Sequence, residues 1–329
     1  MSTGDAARRG SAGRARPTRV AVVGAGYVGA SFAFALLLSG LAAEIVLIDL
    51  NRARAEGEAM DLNHAVPFTH PTRVWAGDYA DCAGAAVTVV AAGSNQRPGE
   101  TRLELVARNA AIFRAIIPQV AGANPEGIIL VATNPVDVLT HTALRVSGLP
   151  PARVIGSGTT LDTARFRYLI SRHFGVDARS VHAYIIGEHG DSEVPVWSLA
   201  NIAGMRLAEY CAATGAVLDE GARQGIYEQT RDAAYRIIER KGATYYAIGA
   251  GLLRIVEAIL RDQRTVLTVS SLIEGVYGLS DVSLSLPTVI DRGGVEQVIP
   301  LRLADEEQEG LRRSAGVLRG HIESLESLA

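Results

Sequence analysis

The sequence predicts an α/β protein in which a doubly wound parallel sheet, with helices on both faces, precedes a C-terminal mixed α+β domain. Two observations predict this fold class. In the first half of the chain, short runs that are apolar throughout alternate with helical segments, as in a parallel sheet covered on both sides. In the second half, segments of alternating polarity follow two long helices, which indicates antiparallel strands.

Each element follows from the length and period of its apolar run. Strands are predicted where a short run is continuously apolar, and helices where apolar residues recur at spacings of three and four. The first half is predicted as strand 20–23, helix 30–38, strand 44–49, helix 52–64, strands 73–76 and 87–92, helix 103–121 and strand 127–132. The second half is predicted as helix 161–174, strand-like segment 180–186, helices 219–241 and 243–262, strands 264–273, 283–290 and 294–298, and helix 305–325.

Composition narrows the class of protein. The 329 residues suit about two domains, and we expect a disordered tail at 1–17, a nucleotide-binding domain at 18–157 and a substrate domain at 158–329. The net charge of −3 argues against nucleic-acid or membrane-surface partners, and no apolar run is long enough to span a bilayer. Two cysteines, Cys82 and Cys211, cannot build a disulfide framework, so we expect a cytoplasmic protein.

A glycine motif stands between the first predicted strand and the first helix. Gly24, Gly26 and Gly29 match Gly-x-Gly-x-x-Gly, and Asp49 ends the next strand. This context is typical of a Rossmann dinucleotide site, in which the glycines admit the pyrophosphate at the helix N-terminus and the acid binds the ribose diol. Because Asp49 would repel a 2′-phosphate, the pattern favours NAD over NADP. A glycine-rich turn without a ligand is the alternative.

Four further stretches carry a family resemblance: 92–102 (AGSNQRPGETR), 133–137 (TNPVD), 161–165 (LDTAR) and 187–192 (GEHGDS). With the glycine motif, and in the family's order, they resemble the L-lactate/malate dehydrogenase superfamily, and more closely the bacterial NAD-dependent L-lactate dehydrogenases. The resemblance implies reversible hydride transfer between NADH and pyruvate, giving (S)-lactate, in fermentative pyruvate metabolism. It also implies NAD as cofactor, a homotetramer and no metal.

The resemblance assigns the catalytic residues. It makes His189 the acid–base group and Asp162 its carboxylate partner. Arg165 would bind the substrate carboxylate, and Arg102, on a closing loop, would polarise the carbonyl group. For His189 the alternative is a structural histidine, for Arg165 an i,i+3 ion pair with Asp162, and for Arg102 a solvated loop charge.

The resemblance also assigns specificity and cofactor contacts. Gln96 occupies the position where malate enzymes carry an arginine, so pyruvate is favoured over oxaloacetate, and Thr244 and Asn134 complete the substrate pocket. Further contacts to the cofactor are expected from a larger set: Val28, Arg54, Tyr79, Gly93, Ser94, Asn134 and Ser157.

Two residues suggest regulation. At the positions of Arg167 and His182, bacterial relatives bind fructose 1,6-bisphosphate across a subunit interface, which implies an effector site and a tetramer. The alternative is that Arg167 pairs with an acid and His182 ends a strand.

Three other functions stay open from the sequence. The nearest is a malate dehydrogenase or another 2-hydroxy-acid dehydrogenase of the same superfamily. An NAD-dependent glycosidase would need a Cys/His metal site, but Cys82 and Cys211 lie outside the motifs. A catalytically inactive NAD-binding regulator would be expected to lack one or more of the four catalytic residues, and this sequence has all four.

Overall fold

A computed structural model of the chain describes residues 17–94 and 102–327, without the side chains of residues 102, 103 and 326. The predicted tail, apart from residue 17, and the specificity residue Gln96 lie outside the described residues. Arg102 begins a helix, but its side chain is outside the description as well.

The described residues form fourteen strands and ten α-helices. The strands are β1 (Arg19–Val23), β2 (Glu44–Ile48), β3 (Arg73–Ala76), β4 (Val87–Val90), β5 (Ile128–Val131), β6 (Val154–Gly156), β7 (Val181–His182), β8 (Ile185–Ile186), β9 (Val194–Pro195), β10 (Asn201–Ile202), β11 (Met205–Arg206), β12 (Thr265–Val276), β13 (Leu279–Asp291) and β14 (Gly294–Val298). The helices are α1 (Tyr27–Ser39), α2 (Arg52–Ala65), α3 (Arg102–Ala123), α4 (Val136–Ser147), α5 (Thr160–Phe174), α6 (Leu207–Thr214), α7 (Glu220–Arg231), α8 (Ala233–Lys241), α9 (Tyr246–Leu260) and α10 (Asp305–Glu326). None of these helices, within the described residues, is both long and apolar enough to cross a membrane.

Nine strands form one sheet in the order β14-β13-β12-β6-β5-β4-β1-β2-β3. Strands β1 to β6 are parallel, and β12, β13 and β14 extend the sheet in antiparallel pairing beyond β6. Because β1 lies between β2 and β4, the strand order reverses there. Open sheets of this kind bind ligands at the carboxyl ends of the strands beside such a reversal. The predicted fold class is confirmed, and the reversal indicates where a ligand would bind.

Both faces of the parallel strands are buried, which explains their continuously apolar sequences. In β1, Val20 and Val22 pack in one cluster with Phe32 of α1, whereas Val23 packs in the opposite cluster with Phe113 of α3. Successive residues of a strand point to opposite faces, so both sets must be apolar when helices cover both sides. Each large side chain buried in this way contributes roughly 1.5–3 kcal/mol.

Several elements of the second half differ from the prediction. The predicted helix 219–241 is two helices, α7 and α8, which meet at Asp232 (φ −84°, ψ 0°). The helix predicted over 243–262 begins later, at Tyr246. Helices α4 and α6 and the strands β6 and β9 to β11 were not predicted. Strands of two or three residues are too short to show a period.

Candidate active site

The glycine motif forms the turn between β1 and α1, at the carboxyl edge of the sheet. Gly24 has φ +101°, a conformation that L side chains rarely adopt, and a Cβ atom there would lie 2.5 Å from the backbone nitrogen of Ala92. A Cβ atom at Gly29 would lie 1.9 Å from the carbonyl oxygen of Gly24, so α1 could not pack as closely as it does against the end of β1. At Gly26 a Cβ atom would meet nothing within 4 Å. Gly24 and Gly29 are therefore required by the turn itself, whereas Gly26 opens onto free space, as a bound pyrophosphate requires.

Asp49 lies directly beside this turn. Its carboxylate accepts hydrogen bonds from the backbone N–H of Ala25, at 2.7 Å, and of Asn51, at 2.8 Å. The guanidinium of Arg54 lies 5.9 Å from the ring centre of Tyr27, the first residue of α1. Burial raises the pKa of the Tyr79 hydroxyl, and the nearby Cys82 and Asp49 raise it further, so Tyr79 lies within electrostatic range of Asp49. The turn, the acid and two of the expected contacts are thus brought together.

Val28 lies in the same turn, half-buried against the hydrophobic cluster beneath α1. Ser157 follows β6 and is buried, and its backbone N–H donates to the carbonyl oxygen of Val131 at 2.8 Å. Both residues therefore belong to the rim of the sheet on which the glycine turn lies.

Asn109, a residue the sequence analysis missed, joins the loops that follow β4 and β5. Its Oδ1 accepts the backbone N–H of Ser94 at 2.8 Å, and its Nδ2 donates to the carbonyl oxygen of Asn134 at 3.1 Å. A Cβ atom at Gly93 would lie 2.3 Å from Cγ2 of Thr133, so these two loops are in close contact. Asn109 is 1% exposed on an otherwise apolar face of α3. A buried amide on such a face is the signal that could have revealed it.

Helix α5 is anchored to the strand that leads to the histidine loop. The hydroxyl of Thr159 donates to the carbonyl oxygen of Ile185 at 2.6 Å, and the backbone N–H of Ile185 donates to Oγ1 of Thr163 at 3.0 Å. These bonds fix the first turns of α5, which carry Asp162 and Arg165, against β8, which leads to His189.

The Asp162 carboxylate binds both of its predicted partners. Its Oδ2 lies 2.5 Å from Nδ1 of His189, and its Oδ1 accepts Nη1–H of Arg165 at 2.8 Å. The side chain of Asp162 is only 3% exposed, against 23% for His189 and 13% for Arg165. The i,i+3 ion pair considered as the alternative for Arg165 is therefore present, but it is part of a buried three-residue cluster and not an isolated pair on a solvated helix face.

The charges in this cluster determine its protonation. Burial by itself lowers the pKa of His189, but the charge and hydrogen bond of Asp162 outweigh it and raise that pKa to about 9. Burial favours neutral Asp162, yet His189 and Arg165 hold its pKa below the ordinary value. At neutral pH the imidazole therefore carries a proton that it can release to a group in front of Nε2.

The backbone of the histidine loop is held by buried polar groups. The N–H of His189 donates to Oδ2 of Asp137 at 2.7 Å, and Asp137 is 1% exposed. Burial raises the pKa of Asp137 to about 6, although hydrogen bonds lower it. The N–H of Glu188 donates to Oγ of Ser314 at 2.7 Å, and a Cβ atom at Gly190 would lie 2.8 Å from Cδ of Glu188. Asp137 stands in the TNPVD stretch, but nothing in its spacing indicates that it supports His189.

A cavity of about 510 Å³ opens in front of the cluster. Among the described residues it is lined by Leu105, Val106, Asn134, Pro135, Asp162, Arg165, His189, Gly190, Asp191, Glu193, Arg231, Ala234, Tyr235 and Ile238. Thr244 is not among them; it lies between α8 and α9, next to Tyr245, whose ring stacks on that of Tyr27 at 5.3 Å. The cavity combines a protonated imidazole and a guanidinium with apolar walls, which suits a small carbonyl compound that bears a carboxylate.

The two residues singled out for regulation lie on another part of the surface. The Nε–H of Arg167 donates to the carbonyl oxygen of Ala183 at 2.9 Å, and its guanidinium lies 5.2 Å from the ring centre of Tyr184. Burial lowers the pKa of Arg167. His182 is exposed and pairs with Asn201 in the small sheet of β7, β10 and β11. Arg167 thus binds backbone beside His182 and has no carboxylate partner among the described residues.

Comparison with family models gives two matches that together cover most of the chain. Residues 18–156 match a lactate/malate dehydrogenase NAD-binding domain, and residues 159–329 match the α/β C-terminal domain of the same enzymes.

Individual L-lactate dehydrogenases are also similar to this chain. The chain is 56% identical over 301 residues to an L-lactate dehydrogenase of Priestia megaterium, which covers 92% of this chain and 94% of that protein. It is 53% identical over 308 residues to an L-lactate dehydrogenase of Acetivibrio thermocellus, covering 94% and 97%. Among solved structures, the ligand-bound minor L-lactate dehydrogenase of Enterococcus mundtii superposes with a TM-score of 0.91 at 43% identity, covering 93% of this chain and 98% of that one.

Proposed function

The chain belongs to the lactate/malate dehydrogenase family, as an NAD-dependent oxidoreductase of the bacterial L-lactate dehydrogenase type, and on this premise we propose that it interconverts pyruvate and (S)-lactate. The observation that carries the proposal is the buried Asp162–His189 pair, which faces the cavity and holds a proton at neutral pH. The glycine turn, with open space at Gly26 and the Asp49 carboxylate beside it, fits NAD.

The chain's own residues would supply the proton and the substrate contacts. Bound NADH supplies the hydride. During reduction, Nε2–H of His189 gives its proton to the developing alkoxide, and Asp162 stabilises the imidazolium beforehand and fixes the ring. Arg165 binds the substrate carboxylate with the donors it does not use on Asp162. Asn134 and Arg102 add donors to the carbonyl oxygen, and Arg102 does so from the first position of α3.

Specificity for pyruvate rests on Gln96, a neutral residue at the position that an arginine occupies in malate enzymes. The family resemblance would assign Thr244 to the same end of the pocket, although Thr244 is not among the described residues that line the cavity. We place the reaction in fermentative pyruvate metabolism in the cytoplasm; the free thiols of Cys82 and Cys211 suit that reducing compartment.

Steady-state kinetics with NADH and a panel of 2-keto acids test this proposal. We expect kcat/KM for pyruvate to exceed that for oxaloacetate, and Gln96→Arg to reverse the preference, since a guanidinium without a partner penalises pyruvate and pairs with the second carboxylate of oxaloacetate. A native preference for oxaloacetate would favour the malate alternative. Absence of turnover with every acid would favour the inactive regulator.

We further propose that the protein forms a homotetramer and that fructose 1,6-bisphosphate activates it through Arg167 and His182. Arg167 lies at a cavity of about 480 Å³ whose lining also includes Arg179 and Arg254. Cationic groups of two subunits that face each other would repel one another when empty, so a bisphosphate would favour the closed assembly.

Effector kinetics and sedimentation test the regulation. Millimolar fructose 1,6-bisphosphate should lower the KM for pyruvate and increase the tetramer fraction, measured at pH 6 and at pH 7.5. Arg167→Gln should remove both responses, whereas Arg172→Gln, an exposed residue on the same helix, should retain them. If KM and mass do not respond to the effector at either pH, Arg167 and His182 have a structural role only.

A further inference from the structure

One carboxyl group in the wall of the active-site cavity has no role in the proposed reaction. Glu193 follows His189 by four residues and is only 5% exposed. It lines the same cavity as Asp162, Arg165 and His189. An acidic side chain is unexpected there, because a negative charge would repel a substrate that carries a carboxylate.

The backbone of Glu193 is fixed on both sides. Its N–H donates to the carbonyl oxygen of Gly190 at 3.1 Å, and its own carbonyl oxygen accepts the hydroxyl of Tyr227 at 2.9 Å. The first bond closes the turn that follows His189, and the second ties this turn to α7. The side chain is therefore held in the cavity wall and is not a loop residue free to turn outward.

The side chain itself is incompletely hydrogen-bonded. Oε1 of Glu193 is buried and has no hydrogen-bond partner within the described part of the chain. Buried polar atoms nearly always have a partner, and in an active site the missing partner is commonly a ligand or a water molecule. The packing of the loop therefore leaves one oxygen of this cavity-lining carboxyl group without a partner.

Several charged and titratable groups surround this carboxyl group. Asp162, Arg165, His189 and Arg231 act on it directly, Tyr227 is in electrostatic contact with it, and Asp191 and Tyr235 line the same cavity; these groups come from α5, the histidine loop, α7 and α8. Burial, and then the charge of Asp162, raise the pKa of Glu193 to about 9, although His189, Arg165 and Arg231 act in the opposite direction. Glu193 is therefore neutral at pH 7 and becomes anionic only in alkaline solution.

We propose that Glu193 is a positioning residue whose neutral carboxyl group keeps the Arg165 guanidinium available to the carboxylate of the substrate. Once ionised, the same group competes for Arg165 and repels the substrate. This inference rests on the proposed function, because it assumes a substrate with a carboxylate. Ionisation of Glu193 is thus a second cause of weaker substrate binding at alkaline pH, separate from the loss of the proton of His189.

The test compares two enzyme–NADH complexes, that of the native protein and that of Glu193→Gln, in their binding of oxamate. Oxamate is an isostere of pyruvate that keeps the carboxylate and carries an uncharged amide. Quenching of NADH fluorescence gives the Kd between pH 6.5 and pH 10. We expect the ratio of native Kd to variant Kd to be about 1 at pH 7. It should rise to about 10 at pH 10, because some nine-tenths of Glu193 is ionised one pH unit above a pKa of about 9. Loss of the His189 proton affects both proteins and largely cancels in the ratio.

Controls separate this role from a structural one. Glu220→Gln, an exposed acid at the start of α7, should give a ratio of 1 at every pH. A purely structural Glu193 would give a ratio that does not vary with pH, and that result would overturn the proposal. If Glu193→Gln does not fold, Glu193→Met, which is also neutral and of similar size, provides the same ratio. Native enzyme that neither reduces pyruvate nor binds oxamate at pH 7 would contradict the proposed function itself, whereas normal binding with a flat ratio contradicts only the role of Glu193.

Discussion

Replacing Asp162 by Asn isolates the effect of one carboxylate on the acid–base group. The substitution keeps the shape of a side chain that is 3% exposed and removes the negative charge 2.5 Å from Nδ1 of His189. The rise in the pKa of His189 from 6.5 to about 9 corresponds to about 3 kcal/mol in favour of the imidazolium. Without Asp162, burial is the largest influence on that pKa and lowers it, as does the charge of Arg165, whereas the charge of Asp137 raises it. At pH 7.5 no more than about a tenth of His189 should then carry a proton.

The assay is pre-steady-state and steady-state reduction of pyruvate by NADH between pH 5.5 and pH 9. Protonation alone should lower the rate at pH 7.5 about tenfold, and loss of the ring's fixed orientation should bring the total to roughly 10²–10⁴. Lowering the pH to 5.5 should restore the part of the rate that was lost through deprotonation of His189, but not the part that was lost with the orientation of the ring. Asp177→Asn, an exposed carboxylate bound only to Arg179 in the described structure, is the control and should change the rate less than twofold.

Coupling gives an independent check. Since Asp162 acts through His189, adding Asp162→Asn to His189→Asn should cost much less than the two single losses combined, and the affinity for NADH should be nearly unchanged in all three variants. Additive losses, or a pH profile of Asp162→Asn that coincides with the native one, would refute the reasoning.

Two other substitutions test the supports of the site. Gly29→Ala puts a Cβ atom 1.9 Å from the carbonyl oxygen of Gly24, so titration should show the affinity for NADH reduced at least tenfold. In the control Gly57→Ala, on the exposed face of α2, the new Cβ atom meets nothing within 4 Å, so the affinity should be unchanged and the stability should rise by up to ~1 kcal/mol. Equal effects of the two substitutions on the affinity would contradict the steric argument. The pKa of Asp137 is raised from 3.8 to about 6, so its contribution to stability is full below pH 3.8 and is lost as the pH rises through about 6. Asp137→Asn lacks this loss, so urea unfolding at pH 4 and pH 7 should show the variant gaining about 2 kcal/mol relative to native protein between the two values. A constant difference would show that burial does not raise the pKa of Asp137.

Much of the fold could be predicted because short stretches of sequence determine the individual strands, helices and turns. The parallel strands are apolar over most of their length since helices cover both faces of the sheet, and that property is visible from the sequence of each strand alone. The same holds for the glycine turn: Gly24 and Gly29 are required by contacts within a few residues or with an adjacent strand. The family resemblance added what spacing could not, namely that Asp162 and His189, 27 residues apart, form one pair.

Only the tertiary structure decided which other polar residues belong to the site. Asp137 supports His189 across 52 residues, and Asn109 joins loops that follow different strands. Glu193 follows His189 by only four residues in sequence, yet only its burial beside Asp162 and Arg165 makes its charge matter. Such roles depend on distance and dielectric environment, which arise when separate elements pack together. A sequence read residue by residue determines the elements, whereas the free energy of a charge is determined by what surrounds it after folding.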